Sequence, residues 1–208
     1  MDKKRIPKII HQIWIGDQSQ RPVNLMQTWV DMNPEWEYRL WTDDNLPKMV
    51  CQDQFDEIDQ LHGKADILRY EILYQHGGFY VDADSECISP LEDFLLDNDS
   101  FAGYENERVR GNLIANGYIA STKENDLMWI LLCKIKKIPD INIKEPWQIT
   151  GPQLVTDTVK ETDYKELTVY PSHYFIPRHY SGVEYAGDGK VFARQYWGST
   201  FGYKNIPK

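Results

Sequence analysis

The stretch "GGFYVDADSE", residues 77–86, ends an apolar run with two closely spaced carboxylates. Its "FYV" segment is short and rich in aromatic and β-branched residues, as is typical of a central strand. The two glycines before it suit the end of a helix, because glycine tolerates the positive φ angles needed there. Because side chains alternate along a strand, we predict that Asp82 and Asp84 face one side while Ala83 faces the other.

The segments on both sides of this stretch predict an α/β fold with helices on the faces of a sheet. Apolar residues at helical spacing between Asp56 and His76 predict a helix that stops at the glycines. The further predicted strands are 9–15, 36–41 and 118–121; the further predicted helices are 25–30, 127–138, one starting at Thr42 and one opening at Thr150-Gly151-Pro152, with Thr150 as its cap. No repeat or linker interrupts the chain, so we predict one domain over residues 1–208.

Composition and charge exclude several classes of protein. The chain has 208 residues, 41% of them hydrophobic and 26% charged, and its net charge of −9 would repel nucleic acid. Its one basic cluster, Lys3, Lys4, Arg5 and Lys8, is either a solvated terminus or a contact with an anionic surface. No apolar run reaches the roughly 20 residues of a membrane span, and the widely spaced cysteines fit a reducing compartment. We expect a cytoplasmic protein without nucleic-acid partners, and peripheral contact with the inner face of a membrane stays open.

The spacing of Asp82 and Asp84 predicts a cation site. Two bare carboxylates this close repel each other, so that one would tend to take up a proton unless a cation lies between them. Oxygen ligands favour Mg²⁺, Mn²⁺ or Ca²⁺, and ligands of α/β sheets bind just beyond the carboxyl ends of strands. The sequence therefore suggests a metal that bridges these carboxylates to a substrate diphosphate; the alternative is a solvated strand end.

The predicted helix before the glycines adds two charged residues. Asp66 and Arg69 are three residues apart and therefore share one helix face. One interpretation is a surface ion pair of little energetic value. The other is that Asp66 binds sugar hydroxyls while the planar guanidinium of Arg69 binds phosphate or sugar oxygens.

The combined stretch "KADILRYEILYQHGGFYVDADSE", residues 64–86, resembles the DXD-motif glycosyltransferases. Within them it is similar to the retaining group that includes capsular-polysaccharide synthesis enzymes and fungal initiating α-1,6-mannosyltransferases. The matching motifs are "IPKIIHQ.W.G" at 6–16, "NP.WEYRLWTDDN" at 33–45, "A-D-x-x-R-Y-x-x-L" at 65–73, "G-G-x-Y-x-D-x-D" at 77–84 and "TGP" at 150–152.

That resemblance implies a GT-A fold, with a mixed, mostly parallel sheet flanked by helices. It implies a hexosyltransferase with a UDP- or GDP-linked sugar donor, Mn²⁺ or Mg²⁺, and a glycan or glycolipid acceptor in surface polysaccharide synthesis. It also assigns roles to individual residues: nucleotide contacts to His11, Gln12 and Trp14; donor-sugar contacts to Ala65, Asp66 and Arg69; ribose and metal contacts to Asp82 and Asp84; and a donor or acceptor contact to Asn116. Arg69, Asp82 and Asp84 are the expected catalytic residues, while Asn116 reads equally well as a turn asparagine.

One departure from the family pattern concerns the third metal ligand. The family often ends with "A-x-H-x-W-x-x-S-W", whereas residues 193–200 read "ARQYWGST". Gln195 stands in place of the histidine, and its carbonyl oxygen binds Mn²⁺ more weakly than an imidazole does. We therefore predict Gln195 as the third ligand and leave His173, His179 or water as alternatives.

Two other functions remain open at this level. A haloacid-type phosphatase also places D-x-D after a strand, but it usually continues D-x-D-x-T, whereas Ser85-Glu86 follow here. A catalytically silent carbohydrate-binding protein would use the 7 Trp and 13 Tyr residues for stacking, although such rings also suit an ordinary core.

Overall fold

The central feature of the protein is a six-stranded sheet. The computed structural model describes residues 5–187, 189–202, 204 and 206. The strands of the sheet are β1 (Ile9–Ile13), β2 (Glu37–Trp41), β3 (Gly78–Val81), β5 (Ser100–Tyr104), β6 (Ile114–Ser121) and β7 (Leu167–Tyr170), and a second small sheet pairs β4 (Ser85–Cys87) with β8 (Ala193–Gln195). The helices are α1 (Val23–Met32), α2 (Gln52–Glu57), α3 (Leu61–His76), α4 (Glu107–Arg110), α5 (Asp126–Lys136), α6 (Pro146–Ile149), α7 (Pro152–Thr162) and α8 (Gly198–Phe201).

The main sheet has the strand order β2-β1-β3-β6-β5-β7. Neighbouring strands are parallel except at β6, which is antiparallel to both β3 and β5. Hence β1, β3 and β5 all end at the same edge of the sheet. The predicted mixed, mostly parallel sheet flanked by helices is confirmed.

Apolar residues fill the space on both faces of this sheet. On one face, Leu68 of α3 and Leu131 of α5 belong to a buried cluster that continues to Val155 of α7. On the other face, Trp29 of α1 packs edge-on against Phe79 of β3, with ring centroids 6.1 Å apart. Burial on both faces explains why "FYV" is a continuous apolar run.

The two glycines between α3 and β3 have the conformation that the sequence predicts. Gly77 has φ +66° and Gly78 has φ +107°. A Cβ at Gly78 would also lie 2.7 Å from the carbonyl oxygen of Ile9 and 2.9 Å from Nε2 of His11. Glycine is therefore needed both for the turn and for the close approach of β3 to β1.

Several local predictions are wrong. No helix starts at Thr42, and the predicted helix 56–76 is two helices, α2 and α3, separated near Ile58. Residues 82–84 form a turn between β3 and β4, not a continuation of the strand. Pro152 does open α7, but the residue before it, Gly151, occupies the cap position predicted for Thr150.

Among the described residues, no helix combines the length and the apolar character needed to cross a bilayer. Of the N-terminal basic cluster, Lys3 and Lys4 lie outside the described residues. Arg5 pairs with Asp97, and Lys8 pairs with Asp93 and more distantly with a second acid.

Candidate active site

The carboxyl ends of β1, β3 and β5 border a cavity of about 460 Å³. This volume lies within the range of small-molecule sites. Of the residues predicted from the sequence, the cavity is lined by Trp14, Ala65, Asp66, Arg69, Asp82, Asp84, Asn116 and Gln195. The chain therefore brings together side chains that are up to about 180 positions apart.

An ionic network, which we call the Arg69 cluster, consists of the buried residues Asp66 and Arg69 and the half-buried Asp82. Nη1 of Arg69 lies 3.0 Å from Oδ1 of Asp66, and Nη2 lies 3.2 Å from Oδ1 of Asp82. The guanidinium also lies over the ring of Tyr80, with its carbon 4.3 Å from the centroid. Arg69 is 4% exposed and Asp66 is 7% exposed, so a surface ion pair is the wrong interpretation.

Two nitrogen atoms of the Arg69 guanidinium are not hydrogen-bonded within this cluster. Its Nε and Nη1 are buried and make no hydrogen bond to the described residues, because the contact of Nη1 with Asp66 is off the line of the N–H bond. A buried donor without an acceptor is costly and calls for an explanation. An oxygen-rich ligand entering the cavity beside Arg69 would supply acceptors.

Asp66 is held by neighbours on three elements. Nδ2 of Asn116 donates to its Oδ1 at 2.8 Å, and Oγ1 of Thr150 donates to its Oδ2 at 3.0 Å. Burial raises the pKa of Asp66, and Arg69 opposes that shift. Asn116 also donates to the hydroxyl of Tyr70 at 3.0 Å, so its position in β6 is a buried strand position, not a turn.

Asp82 and Asp84 converge although they lie in a turn. The pairing of β4 with β8 places Gln195 opposite Ser85, directly beside the two acids. Nε2 of Gln195 donates to Oδ1 of Asp84 at 2.8 Å and lies 3.5 Å from Oδ2 of Asp82. The backbone N–H of Gly198 donates to Oδ2 of Asp84 at 2.5 Å.

The electrostatics of this pair favour a cation. Burial first, and repulsion from Asp82 second, raise the pKa of Asp84 to about 6, against the two hydrogen bonds it accepts. Mg²⁺ or Mn²⁺ fits these crowded carboxylate oxygens, because the cation removes the repulsion that disfavours their ionised form.

Gln195 fits the third-ligand position only if its amide turns over. Its nitrogen now faces Asp84, while its Oε1 accepts a hydrogen bond from the hydroxyl of Tyr118 at 2.7 Å. Neither alternative ligand lines the cavity. The ring of His173 packs against Gly187 and its two nitrogens make no hydrogen bond to the described residues, and Nε2 of His179 lies 3.2 Å from Oε1 of Glu105. No group of three His, Cys, Asp or Glu side chains suited to a metal occurs within the described part of the chain.

Gly117 makes room for Asp82. It faces Asp82 across the β3–β6 pair, where its carbonyl accepts the backbone N–H of Asp82 at 3.0 Å. A Cβ at position 117 would lie 2.4 Å from Oδ2 of Asp82. The glycine of "NGY" was not singled out by the sequence reasoning, and its place in an apolar strand is the signal that points to a close approach.

His11 and Gln12 are wholly buried and do not line the cavity, unlike the direct nucleotide contact predicted for them. Nε2 of His11 donates to the carbonyl of Gly77 at 2.8 Å, and its Nδ1 accepts the indole N–H of Trp41. Only a neutral ring makes both bonds, and burial lowers the pKa of His11 to about 4. Gln12 donates to the carbonyl of Asp82 at 3.1 Å. Both residues hold the β3 strand and its acidic turn in place.

The cavity also contains residues that sequence reasoning missed. Trp14 lines it as predicted, and Asp17 lies on the same side, where its carbonyl accepts the indole N–H of Trp14 at 2.9 Å. Further missed lining residues include Gln20, Tyr80, Glu105, Trp147, Trp197 and Ser199. Two of these had a signal in the sequence: Tyr80 belongs to the "G-G-x-Y-x-D-x-D" motif, and Trp197 belongs to the C-terminal family pattern.

Comparison with known families confirms the resemblance drawn from the motifs. Residues 19–102 match the model described as "Glycosyltransferase sugar-binding region containing DXD motif". The chain is 36% identical over 97 residues to inositol phosphoceramide mannosyltransferase 3 of Schizosaccharomyces pombe. That match covers 43% of this chain and 27% of the mannosyltransferase, so the chain spans little more than a quarter of that relative's length.

Two further matches cover more of the chain. An uncharacterised glycosyltransferase, L373 of Acanthamoeba polyphaga mimivirus, is 28% identical over 186 residues, covering 83% of this chain and 73% of that protein. Among solved structures, the PaToxG glycosyltransferase superposes with a TM-score of 0.64 at 18% identity, over 76% of this chain and 70% of that chain. The predicted GT-A fold is confirmed.

Proposed function

We propose that this chain, whose residues 19–102 carry the sugar-binding region of the DXD-containing glycosyltransferases, transfers a hexose from a nucleoside-diphosphate sugar to a hydroxyl of a glycan or glycolipid. The observation that carries the proposal is the convergence of Asp82, Asp84 and Gln195 beside the Arg69 cluster in one cavity. The name of the mannosyltransferase relative supports mannose as the hexose.

Each part of the cavity suits one part of the donor. We assign the nucleoside to the side of Trp14, because an indole offers a flat surface for a base. We assign the sugar to the side of Asp66 and Arg69, and the diphosphate to the oxygen-rich space between Arg69 and Asp84. The guanidinium of Arg69 supports this, since it lines the cavity as a fixed positive charge 3.2 Å from Asp82.

The departing diphosphate is the chief problem for catalysis. Asp84 and Asp82, with Gln195 turned to present its carbonyl, would hold Mn²⁺ or Mg²⁺, which would supply Lewis-acid neutralisation of the leaving group. Arg69 keeps its positive charge beside two carboxylates and adds fixed positive potential. Gly198 holds Asp84 through its backbone N–H, which keeps the carboxylate in place before substrate binds.

We propose transfer with retention through attack on the face from which the diphosphate leaves. The bond between the anomeric carbon and the phosphate oxygen breaks, and its electron pair departs with the diphosphate. The acceptor oxygen forms the new bond on the same face, and its proton passes to a phosphate oxygen. Asp66 and Asp82 are tied to Arg69, so we assign neither the role of nucleophile.

A thermal-shift panel of UDP-, GDP- and dTDP-sugars, with and without Mn²⁺, tests the proposal. A ligand that binds only the folded state raises the melting temperature according to its concentration relative to Kd. We expect stabilisation by one nucleotide sugar that depends on Mn²⁺ or Mg²⁺, followed by release of the nucleoside diphosphate on turnover. Phosphate release from simple phosphomonoesters would point to a phosphatase, and sugar binding without nucleotide binding would point to a silent lectin-like protein.

The cellular location follows from the acceptor. A glycolipid acceptor would place the protein at a membrane face, and we propose the cytoplasmic face. A free or protein-linked glycan would not require such contact. Fractionation of cells that express the full chain, in the presence and absence of salt, tests which of the two holds.

A further inference from the structure

We propose that Glu105 and Trp147 form the acceptor subsite of this cavity and bind a neutral sugar that carries the attacking hydroxyl. This inference rests on the proposed function, because it names where the second substrate binds. The observation behind it is the arrangement of side chains around Glu105, a residue that lies in none of the sequence motifs. We call Glu105, Arg110 and His179 the Glu105 cluster.

Glu105 stands at the edge of the sheet where the donor side also lies. It directly follows β5, which is separated from β3 by one strand, so that about 10 Å separate the two strand ends. It lines the cavity and is 9% exposed. The distance leaves room for a sugar ring between Glu105 and the turn that carries Asp82.

Among the described residues, only one oxygen of the Glu105 carboxylate has a partner. Its Oε1 lies 3.2 Å from Nε2 of His179 and 3.5 Å from Nε of Arg110. Among the described residues, none donates a hydrogen bond to Oε2. A nearly buried carboxylate that lines a cavity, with one oxygen that accepts no hydrogen bond from the described residues, is a site for a ligand hydroxyl.

His179 orients this carboxylate. Its ring is 1% exposed, and its Nδ1 accepts the backbone N–H of Ser181 at 3.2 Å. That bond requires a lone pair on Nδ1, so the proton of the neutral ring lies on Nε2, facing Glu105. A buried histidine with a fixed tautomer is a positioning residue, because it holds Oε1 and leaves Oε2 to the cavity.

Trp147 provides the apolar half of the subsite. It lines the cavity with 40% of its surface exposed. The guanidinium carbon of Arg110 lies 4.9 Å from its ring centroid, so that Arg110 connects the indole to Glu105. Sugars present an apolar C–H face and a rim of hydroxyls, which match an indole beside a carboxylate.

Charge explains why this subsite suits the acceptor and not the donor. Because Nδ1 of His179 accepts the backbone N–H of Ser181, the imidazole that faces Glu105 is neutral. Among the described residues, the one cationic partner of Glu105 is then Arg110, at 3.5 Å. A diphosphate close to this carboxylate would be repelled, whereas a neutral glycoside would not. The donor side of the cavity holds Arg69, whose guanidinium is a fixed positive charge beside Asp82.

The test compares glycoside binding with nucleotide binding in the same protein. Ligand-observed NMR would follow the titration of methyl α-D-mannopyranoside and methyl α-D-glucopyranoside into protein saturated with Mn²⁺ and with GDP or UDP. We expect Glu105→Gln and Trp147→Ala each to weaken glycoside binding about tenfold, because each removes one of the few contacts that hold it. Kd for the nucleoside diphosphate should stay within twofold of the wild-type value. Glu161→Gln, a surface change on α7, serves as the control that alters neither value.

Four results would overturn the inference. These are unchanged glycoside binding in both variants, an equal loss of nucleotide binding, the absence of glycoside binding in a wild-type protein that binds nucleotide, and a thousandfold fall in kcat of Glu105→Gln at unchanged glycoside affinity. The last would make Glu105 a nucleophile. Should Glu105→Gln fail to fold, Trp147→Ala decides by itself. A wild-type protein that binds neither GDP nor UDP would instead defeat the proposed function, and the acceptor subsite with it.

Discussion

The Arg69 cluster and the Glu105 cluster face the same cavity, but their charges are balanced in different ways. In the Arg69 cluster, one buried guanidinium contacts two carboxylates at 3.0 and 3.2 Å. In the Glu105 cluster, one carboxylate contacts a neutral imidazole at 3.2 Å, with Arg110 more distant. The Arg69 cluster is a dense ionic network that includes Asp82 of the aspartate pair. In the Glu105 cluster, little positive charge balances the carboxylate, which can accept hydrogen bonds. The difference indicates that one end of the cavity is suited to an ionic substrate and the other to hydroxyl groups.

The largest effect should come from the aspartate pair beside the Arg69 cluster. We expect Asp84→Ala to lower turnover by about a thousandfold, because the proposed metal supplies several kcal/mol of transition-state stabilisation. The variant should stay folded, since the ionised Asp84 carboxylate is disfavoured where it lies. Turnover is measured by release of nucleoside diphosphate, with circular dichroism as the folding control. Full activity of Asp84→Ala in EDTA would exclude metal catalysis at this site.

The second prediction tests the ionic character of the Arg69 cluster by chemical denaturation. Arg69→Gln should lower the free energy of unfolding by about 3 kcal/mol, because it leaves the buried carboxylate of Asp66 and the half-buried one of Asp82 without a counter-charge. Adding Asp66→Asn to that variant should recover part of the loss. Glu105→Gln should cost less than about 1 kcal/mol, because its nearest partner is neutral. Equal costs for Arg69→Gln and Glu105→Gln would contradict the contrast between the clusters.

The third prediction concerns His11, which supports the glycine turn under the donor side. Its pKa is about 4 in the fold and about 6.5 when unfolded, so the unfolded chain binds more protons between these values. The stabilisation is fully present above about pH 6.5 and is lost as the pH falls towards 4, up to about 3 kcal/mol. His11→Gln keeps a donor for the carbonyl of Gly77 and should flatten this part of the stability curve. Identical slopes for both proteins, measured by urea unfolding from pH 7 to 4, would show that His11 does not cause the loss.

The smallest predicted effect concerns the position of the Asp82 carboxylate. Gly117→Ala should weaken Mn²⁺ binding about tenfold, since its Cβ would lie 2.4 Å from Oδ2 of Asp82 and displace it. Binding of Mn²⁺ is measured by electron paramagnetic resonance without substrate. Glycoside binding at the Glu105 cluster should be unchanged in this variant. Wild-type Mn²⁺ affinity would mean that Asp82 tolerates the displacement or does not bind the ion.

The sequence alone predicts the parts of the site whose signals are short-range. Helical periodicity places Asp66 and Arg69 on one face, and an apolar run followed by Asp82 and Asp84 marks the end of a central strand. These signals repeat every two to four residues, so a single chain displays them. The α/β class and the strand β3 follow from the same kind of signal.

Only the tertiary structure decides which distant residues complete the site. Gln195 reaches Asp84 across 111 positions, and His179 reaches Glu105 across 74. It also decides that His11 supports β3 from beneath the cavity, and that a turn, not a strand, directs the two aspartates. The physical reason is that local periodicity is set by backbone geometry within a few residues, whereas contacts between strands such as β4 and β8 depend on the packing of the whole chain.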